Sequence, residues 1–435
     1  MIKRFSALLA LVAIVISACS SGGGAATTAP SAAATSAPSA AATMAPSEAA
    51  SQPAAGGASL VIWADEKRAA AIKPLAQQWA TDNGVTVTVE SIASDIQTKF
   101  KTASQGGTGP DIVVWAHDVI GDFVRNGAID PIQMSDTSMF DPIAVKGMTF
   151  NGQLYGIPYS VENIALIRNT DLTTECPATM EDLVKTGQQL ITDGKASQIM
   201  ALQVGQKGDA YHIYPLFTSG GGSYFATTAT GDPDPKTVTV DSPESIAAGQ
   251  KLFELGEKGV GALKRSIDDK TSIPTFTGAK TPFLVSGPWS IADITKAKVN
   301  YDICTIPPFA DGQKASPFIG VNGFYLASKG KNKPLAEEFL TTLVPTTEFQ
   351  VGLYEAEPRR PAATAAVDQV KSTDPNIPKF AAAGVDGTIL PAIPEMGQVW
   401  GPFGNAEAAI VGGADPATAL QAAAKAIRDG IAAMK

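Results

Sequence analysis

Histidine is nearly absent: His117 and His212 are the only two in 435 residues, and cysteine occurs three times. With no Cys/His pair at metal-ligand spacing, no metal centre is expected. The chain has no Gly-x-Ser-x-Gly elbow, no P-loop and no His-Glu-x-x-His helix. The commonest hydrolase, nucleotide-binding and zinc-protease signatures are therefore missing, and neither a cofactor nor an enzymatic activity is expected. Positive charge is in deficit, with 33 Lys and Arg against 42 Asp and Glu and a formal net charge of −9. Such an acidic chain argues against nucleic acid and anionic membrane surfaces as partners. Long apolar runs are also scarce. The one at the N-terminus, Leu8 to Ile16, falls well short of the ~20 residues that span a bilayer.

That N-terminal run has a different use. Lys3 and Arg4 precede it, and Ile16-Ser17-Ala18-Cys19 follows it. A charged start, an apolar stretch and small residues before a cysteine make an export signal over residues 1–19, with a lipobox and lipidation at Cys19. Removal of Lys3 and Arg4 with the signal takes the charge from −9 to −11. Residues 20–58 are almost all Ala, Ser, Thr, Gly and Pro, with Glu48 the only charge and no aromatic. They cannot bury enough apolar surface to offset their ordering entropy, so a disordered tether is expected. Its reach is at most ~130 Å extended and roughly 35 Å as a coil.

The body, residues 59–435, is too long for one core and predicts two domains. It opens with strands at Ser59–Trp63, Val85–Glu90 and Asp111–Trp115, alternating with helices at Lys67–Asp82, Asp95–Ala103 and Ile120–Asn126. Ile72, Leu75, Ala76 and Trp79 fall on one helical face, which marks Trp79 as core. Strand–helix alternation implies a parallel sheet flanked by helices, with ligands at the carboxyl ends of the strands. Asn151-Gly152 between two strand-like runs signals a hairpin. Further on, helices are predicted at 180–192, 210–219, 243–258, 334–343 and 416–434, and strands at 282–286, 301–306 and 317–326.

Gly109-Pro110-Asp111-Ile112-Val113-Val114-Trp115-Ala116-His117-Asp118 ends a buried strand on an indole with a carboxylate close behind. An aromatic face suits the C–H side of a pyranose, and an acid suits its hydroxyls. Asn151-Gly152-Gln153-Leu154-Tyr155-Gly156-Ile157-Pro158, Gly287-Pro288-Trp289, Pro317 to Val321 and Pro391 to Met396 accompany this segment in order. Together they resemble the maltose/maltodextrin-binding proteins, the extracytoplasmic solute-binding subunits of sugar ABC importers, over roughly residues 59 to 435.

The resemblance implies a two-lobed, periplasmic-binding-protein-like α/β clamp, each lobe a mainly parallel sheet flanked by helices. An N-terminal lobe of 59–163 and 318–373 and a C-terminal lobe of 164–317 and 374–435 would be joined by crossing hinge segments. It implies ligand contacts from Asp65, Glu66, Lys67, Trp115, Asp118, Glu162, Asp209, Tyr211, Trp289 and Trp400, with Trp63 left to the core. Maltose or maltodextrin would be captured by a monomer, held at the cell membrane by its lipid, and delivered to the permease subunits of an ABC importer. The chain departs from the family pattern at Val119, Gly401 and Gly404, where an arginine, a tyrosine and an arginine are expected, and at Gln97 and Thr98, where acids are. Sugar length and linkage are therefore open. A different oligosaccharide, taken up by an importer or read by a sensor, is the alternative. A secreted glycoside hydrolase using Asp118 and Glu162 is a more distant one. Cys176 and Cys304 either pair outside the cytoplasm or stay as buried thiols.

Overall fold

The computed structural model describes residues 58–229 and 231–434. The export signal, Cys19 and the tether except Ala58 lie outside the described residues. Among those described, no helix is long and apolar enough to cross a membrane.

The first sheet begins with β1 (Ser59–Ala64), β2 (Thr86–Ser91) and β3 (Ile112–Ala116). Helix Glu66–Asn83 joins β1 to β2. The Asp65 side chain caps its first turn by accepting from the Arg68 amide, and Gly84, at φ +65°, ends it by donating to Ala80 and Thr81. Trp79 is buried in this helix and meets Phe339 edge-on at 5.1 Å between ring centroids. Trp63 is partly buried and packs against the same core. A short hairpin, β4 (Thr149–Phe150) and β5 (Gln153–Leu154), turns at Asn151 and Gly152. Both turn residues have positive φ, as a tight hairpin of this kind needs.

The chain then runs through β6 (Gly156–Asn163) and, after Ile164, straight into β7 (Ala165–Asn169). β6 belongs to the first sheet and β7 to the second, so this is a crossing segment. The second sheet adds β8 (Ala201–Leu202), β11 (Phe283–Ser286) and β12 (Tyr301–Cys304), in the order β12-β7-β11-β8. Between β8 and β11 lies a separate hairpin of β9 (Phe225–Thr227) and β10 (Pro233–Val238). The chain returns to the first sheet through β13 (Phe318–Leu326), whose nine residues are all buried. β14 (Thr388–Ile389) pairs with the start of β13.

The first sheet is mainly parallel, as expected, with β13 also parallel to β14, whereas the second departs from that expectation. β1 is parallel to β2 and β3, but β13 is antiparallel to both β3 and β6. In the second sheet only β8 and β11 are parallel; β7 runs antiparallel to β11 and β12. The physical reason is the crossing itself. β7 arrives from the other lobe without a right-handed helical crossover, the connection that makes neighbouring strands parallel.

Each sheet has its own core. One apolar cluster runs through Leu60, Phe100, Ile112, Val161, Val321, Phe339 and Ile377. The other lobe holds two, one through Leu166, Phe217, Phe318, Phe403 and Ile427 and one through Ile167, Leu284 and Phe380. The C-terminal helix Pro416–Ala433 buries Leu420, Ala423, Ala424 and Ile427 in the second lobe. Cys176 and Cys304 form a disulfide, with Cα atoms 5.9 Å apart. It ties the loop before helix Met180–Thr192 to β12.

Candidate functional site

Strand ends supply the site. In the first lobe, Asp65 directly follows β1, Trp115 is the penultimate residue of β3 with Asp118 in the turn that follows, and Glu162 is the penultimate residue of β6. In the second lobe, the loop after β8 carries Asp209 and Tyr211, β11 is followed by Trp289, and helix Trp400–Val411 begins at Trp400.

A guanidinium organises the first cluster. Arg68 donates from Nε to the Tyr159 hydroxyl at 3.0 Å, from Nη1 to Asp65 and from Nη2 to Asn322 Oδ1. Its Cζ lies 5.1 Å from the centre of the Trp115 ring, within cation–π range. Burial pushes the Asp65 carboxyl up, but the charge and hydrogen bonds of Arg68 outweigh it and hold the group below its ordinary value. Asp118 is half-buried, and burial pushes its carboxyl up to about 7 against the opposing pull of its own amide and Arg68. Its neighbour His117 is buried, with Nδ1 accepting from the Val321 amide at 3.0 Å and Nε2 2.7 Å from the Leu390 carbonyl. That pairing requires the neutral ring protonated on Nε2, and burial lowers its pKa to about 4.

A second guanidinium lies beside the crossing strand β6, in the irregular stretch after helix Thr347–Ala356. Arg359 pairs through Nη1 with Glu162 and through Nη2 with Glu357 at 2.8 Å, and its Cζ is 5.5 Å from the centre of the Trp289 ring. Arg359 belongs to the first lobe and Trp289 to the second. Burial pushes the Tyr211 phenol up, and the nearby charges of Glu162, Asp209 and Asp118 add to that shift while Arg359 opposes it. Tyr211 thus feels the ionised groups of the facing lobe.

Aromatic rings connect the second-lobe members. Trp289 meets His212 at 6.2 Å, His212 meets Tyr211 at 5.3 Å, Tyr211 stacks on Phe318 at 6.0 Å, and Phe318 meets Trp400 at 6.2 Å. Trp289 folds back over Gly287, where any Cβ would collide with the indole. That collision gives the Gly-Pro-Trp turn its glycine.

The structure therefore draws together Asp65, Trp115, Asp118, Glu162, Tyr211 and Trp289, and reaches Trp400 through Phe318. Glu66 and Lys67 are exposed, and Lys67 opens onto a cavity of about 630 Å³ walled across the gap by Asp269, Lys270, Ile273 and Asp293. Asp209 is turned inward. Its carboxylate accepts from the amides of Tyr211 (3.0 Å) and His212 (2.9 Å), from Gln203, and pairs with His212 Nδ1 at 3.0 Å. It shapes the loop that carries Tyr211. Arg68, Arg359, Tyr159 and Phe318 were missed in the sequence. Arg68 had one local signal, its position three residues after a helix-capping Asp; Arg359 had only a Pro-Arg-Arg-Pro run in an apparent connection. Among the described residues no group of His, Cys, Asp and Glu could hold a metal ion.

This two-lobed architecture, with facing strand ends, defines a solute-capturing clamp. The family model of the bacterial extracellular solute-binding proteins matches residues 70–379, and the chain belongs to that family. It is 27% identical to the galactooligosaccharide-binding protein of Bacillus subtilis over 85% of this chain and 88% of that one. It is 27% identical to a maltooligosaccharide ABC transporter solute-binding lipoprotein of Streptococcus pneumoniae, covering 81% and 85%. Its fold is similar to that of the Thermus thermophilus maltotriose-binding protein bound with maltotriose, with a TM-score of 0.77, 28% identity, and 86% and 100% of the two chains covered.

Proposed function

We propose that this protein is a lipid-anchored, monomeric solute-binding protein that closes on a maltodextrin-type oligosaccharide and delivers it to an ABC importer. In this reading the lobes are 59–163 with 318–373 and 164–317 with 374–435, and Cys19 carries the anchor. Trp115 and Trp289 are the sugar platforms, with Trp400 extending them. Asp65, Asp118, Glu162 and Tyr211 meet the hydroxyls, Glu66 and Lys67 serve at the rim, and Asp209 acts through Tyr211. The observation that carries the reading is the pairing of an indole from each lobe with a buried guanidinium: Trp115 with Arg68 and Trp289 with Arg359. Such platforms supply the apolar area that a polar sugar otherwise lacks. Catalysis by Glu162 is disfavoured, since Arg359 holds its carboxylate.

A second reading, a galactooligosaccharide ligand, draws on the bare helix start at Gly401 and Gly404 and on the Bacillus relative. Calorimetric titration with maltose, maltotriose, a longer maltodextrin and a galactooligosaccharide series decides between them. Micromolar or tighter binding to the α-1,4 series supports the first. Trp115→Ala and Trp289→Ala should each weaken that binding by at least ~1 kcal/mol with the fold retained. Unchanged affinity would return those indoles to a packing role.

A further inference from the structure

Arg359 lies in Glu357-Pro358-Arg359-Arg360-Pro361. Pro358 centres a tight turn in which the Arg359 amide donates to the Glu357 carbonyl at 2.7 Å, while Pro361 biases Arg360 towards extended backbone, where successive side chains point to opposite sides. The adjacent arginines accordingly part. Arg360 pairs with Asp141 at 2.7 Å, while Arg359 turns to Glu162 and Glu357. Arg359 is only 7% exposed.

The two buried arginines of the site differ in one respect. Arg68 has a partner for each of its three nitrogens, all within its own lobe. Arg359 has partners for Nη1 and Nη2, but its Nε is buried and has none. A buried N–H on a charged group without an acceptor costs free energy that an incoming acceptor would recover. The head group sits beside Glu162, against Trp289 of the other lobe, and within electrostatic range of Tyr211. Glu162, Trp289 and Tyr211 are candidate sugar contacts, and a guanidinium is donor only.

We propose that Arg359 is a specificity-determining residue of the sugar site, its Nε–H donating to an oxygen of the pyranose stacked on Trp289 while its face ties that platform to the first lobe. The ligand group it reads is a neutral hydroxyl or ring oxygen, because the charge of Arg359 is already balanced by Glu162 and Glu357. This rests on the oligosaccharide reading above and goes beyond it by naming the residue that reads one particular oxygen.

The test measures maltotriose and its monodeoxy analogues against the chain from Ser20 on, in the wild type, Arg359→Lys, and the charge-neutral pair Glu162→Gln with Arg359→Gln. The pair keeps the test open should the lysine variant fail to fold, and thermal melting reports folding in each. The expected result is a loss of roughly tenfold or more in affinity for maltotriose. One deoxy analogue should be penalised in the wild type but bound as well as maltotriose by the folded variants. A residue that only supported the fold would weaken all analogues equally. Equal deoxy penalties in wild type and variants, or unchanged affinity, overturn the assignment while leaving the oligosaccharide reading standing. A wild type that binds no oligosaccharide overturns both.

Discussion

His117 and Asp118 are sequence neighbours shifted in opposite directions by the same cause. Burial lowers the histidine to about 4 and raises the aspartate to about 7. For His117 the unfolded chain binds the proton more readily, so its contribution is present above the ordinary histidine value near 6.5 and is lost as pH falls towards 4. For Asp118 the folded state binds the proton more readily, so its contribution is full below the ordinary carboxylate value near 3.8 and is lost as pH rises through 7. The two windows overlap and the slopes oppose. In a stability curve measured by denaturant unfolding from pH 4 to 7, the contributions of these two groups should therefore largely cancel. Asp118→Asn should leave a protein that weakens by up to about 3 kcal/mol as pH falls across that range. His117→Asn should leave one that strengthens as pH falls. Parallel curves for all three would mean that neither group is desolvated as the structure has it.

At the scale of elements, Gly401 and Gly404 are not equivalent. A Cβ on Gly401 would meet nothing within 4 Å, whereas one on Gly404 would lie 2.8 Å from the Lys207 carbonyl. In return, a Cβ on Gly208 would collide with the Gly404 backbone. Helix Trp400–Val411 and the loop before Asp209 are thus in backbone contact, and the loop that carries Tyr211 rests on it. Gly401→Tyr should fold normally and, in the maltodextrin reading, tighten binding of longer chains by ~0.5–1.5 kcal/mol through an added platform. Gly404→Arg should lower the melting temperature and weaken binding by displacing that loop. Calorimetry and melting of the two variants check this, and equal effects would contradict it.

The same contrast marks what the sequence could reveal. Local pattern located β1 to β3, the Asn-Gly turn and the C-terminal helix, because their signals lie within a few residues of one another. It did not reveal that β13 runs antiparallel between β3 and β6, nor that Tyr214–Ser219 is helical only after the Asp209 turn. The strand ends bearing Trp115 and Trp289 were legible through their Gly- and Pro-rich turns. Arg68 and Arg359 were not, since their partners lie up to 254 and 197 residues away.

For the whole molecule, the crossing segments decide what can move. β6 passes directly into β7, and His117 fastens the segment at Leu390 to β13. Yet the joint is not solid. A cavity of about 250 Å³ lies between Val161 and Ile319 on one side and Pro288 and Phe380 on the other. Narrow connections beside an unfilled space suit hinge closure of two rigid lobes. The Arg359–Trp289 contact bridges the lobes, as does the exposed pair Lys146–Asp232 at 3.9 Å. Small-angle scattering of the chain from Ser20 on, with and without saturating oligosaccharide, tests the central claim most directly. The account predicts a smaller radius of gyration with sugar bound. An unchanged radius in a sample that calorimetry shows to be saturated would contradict it.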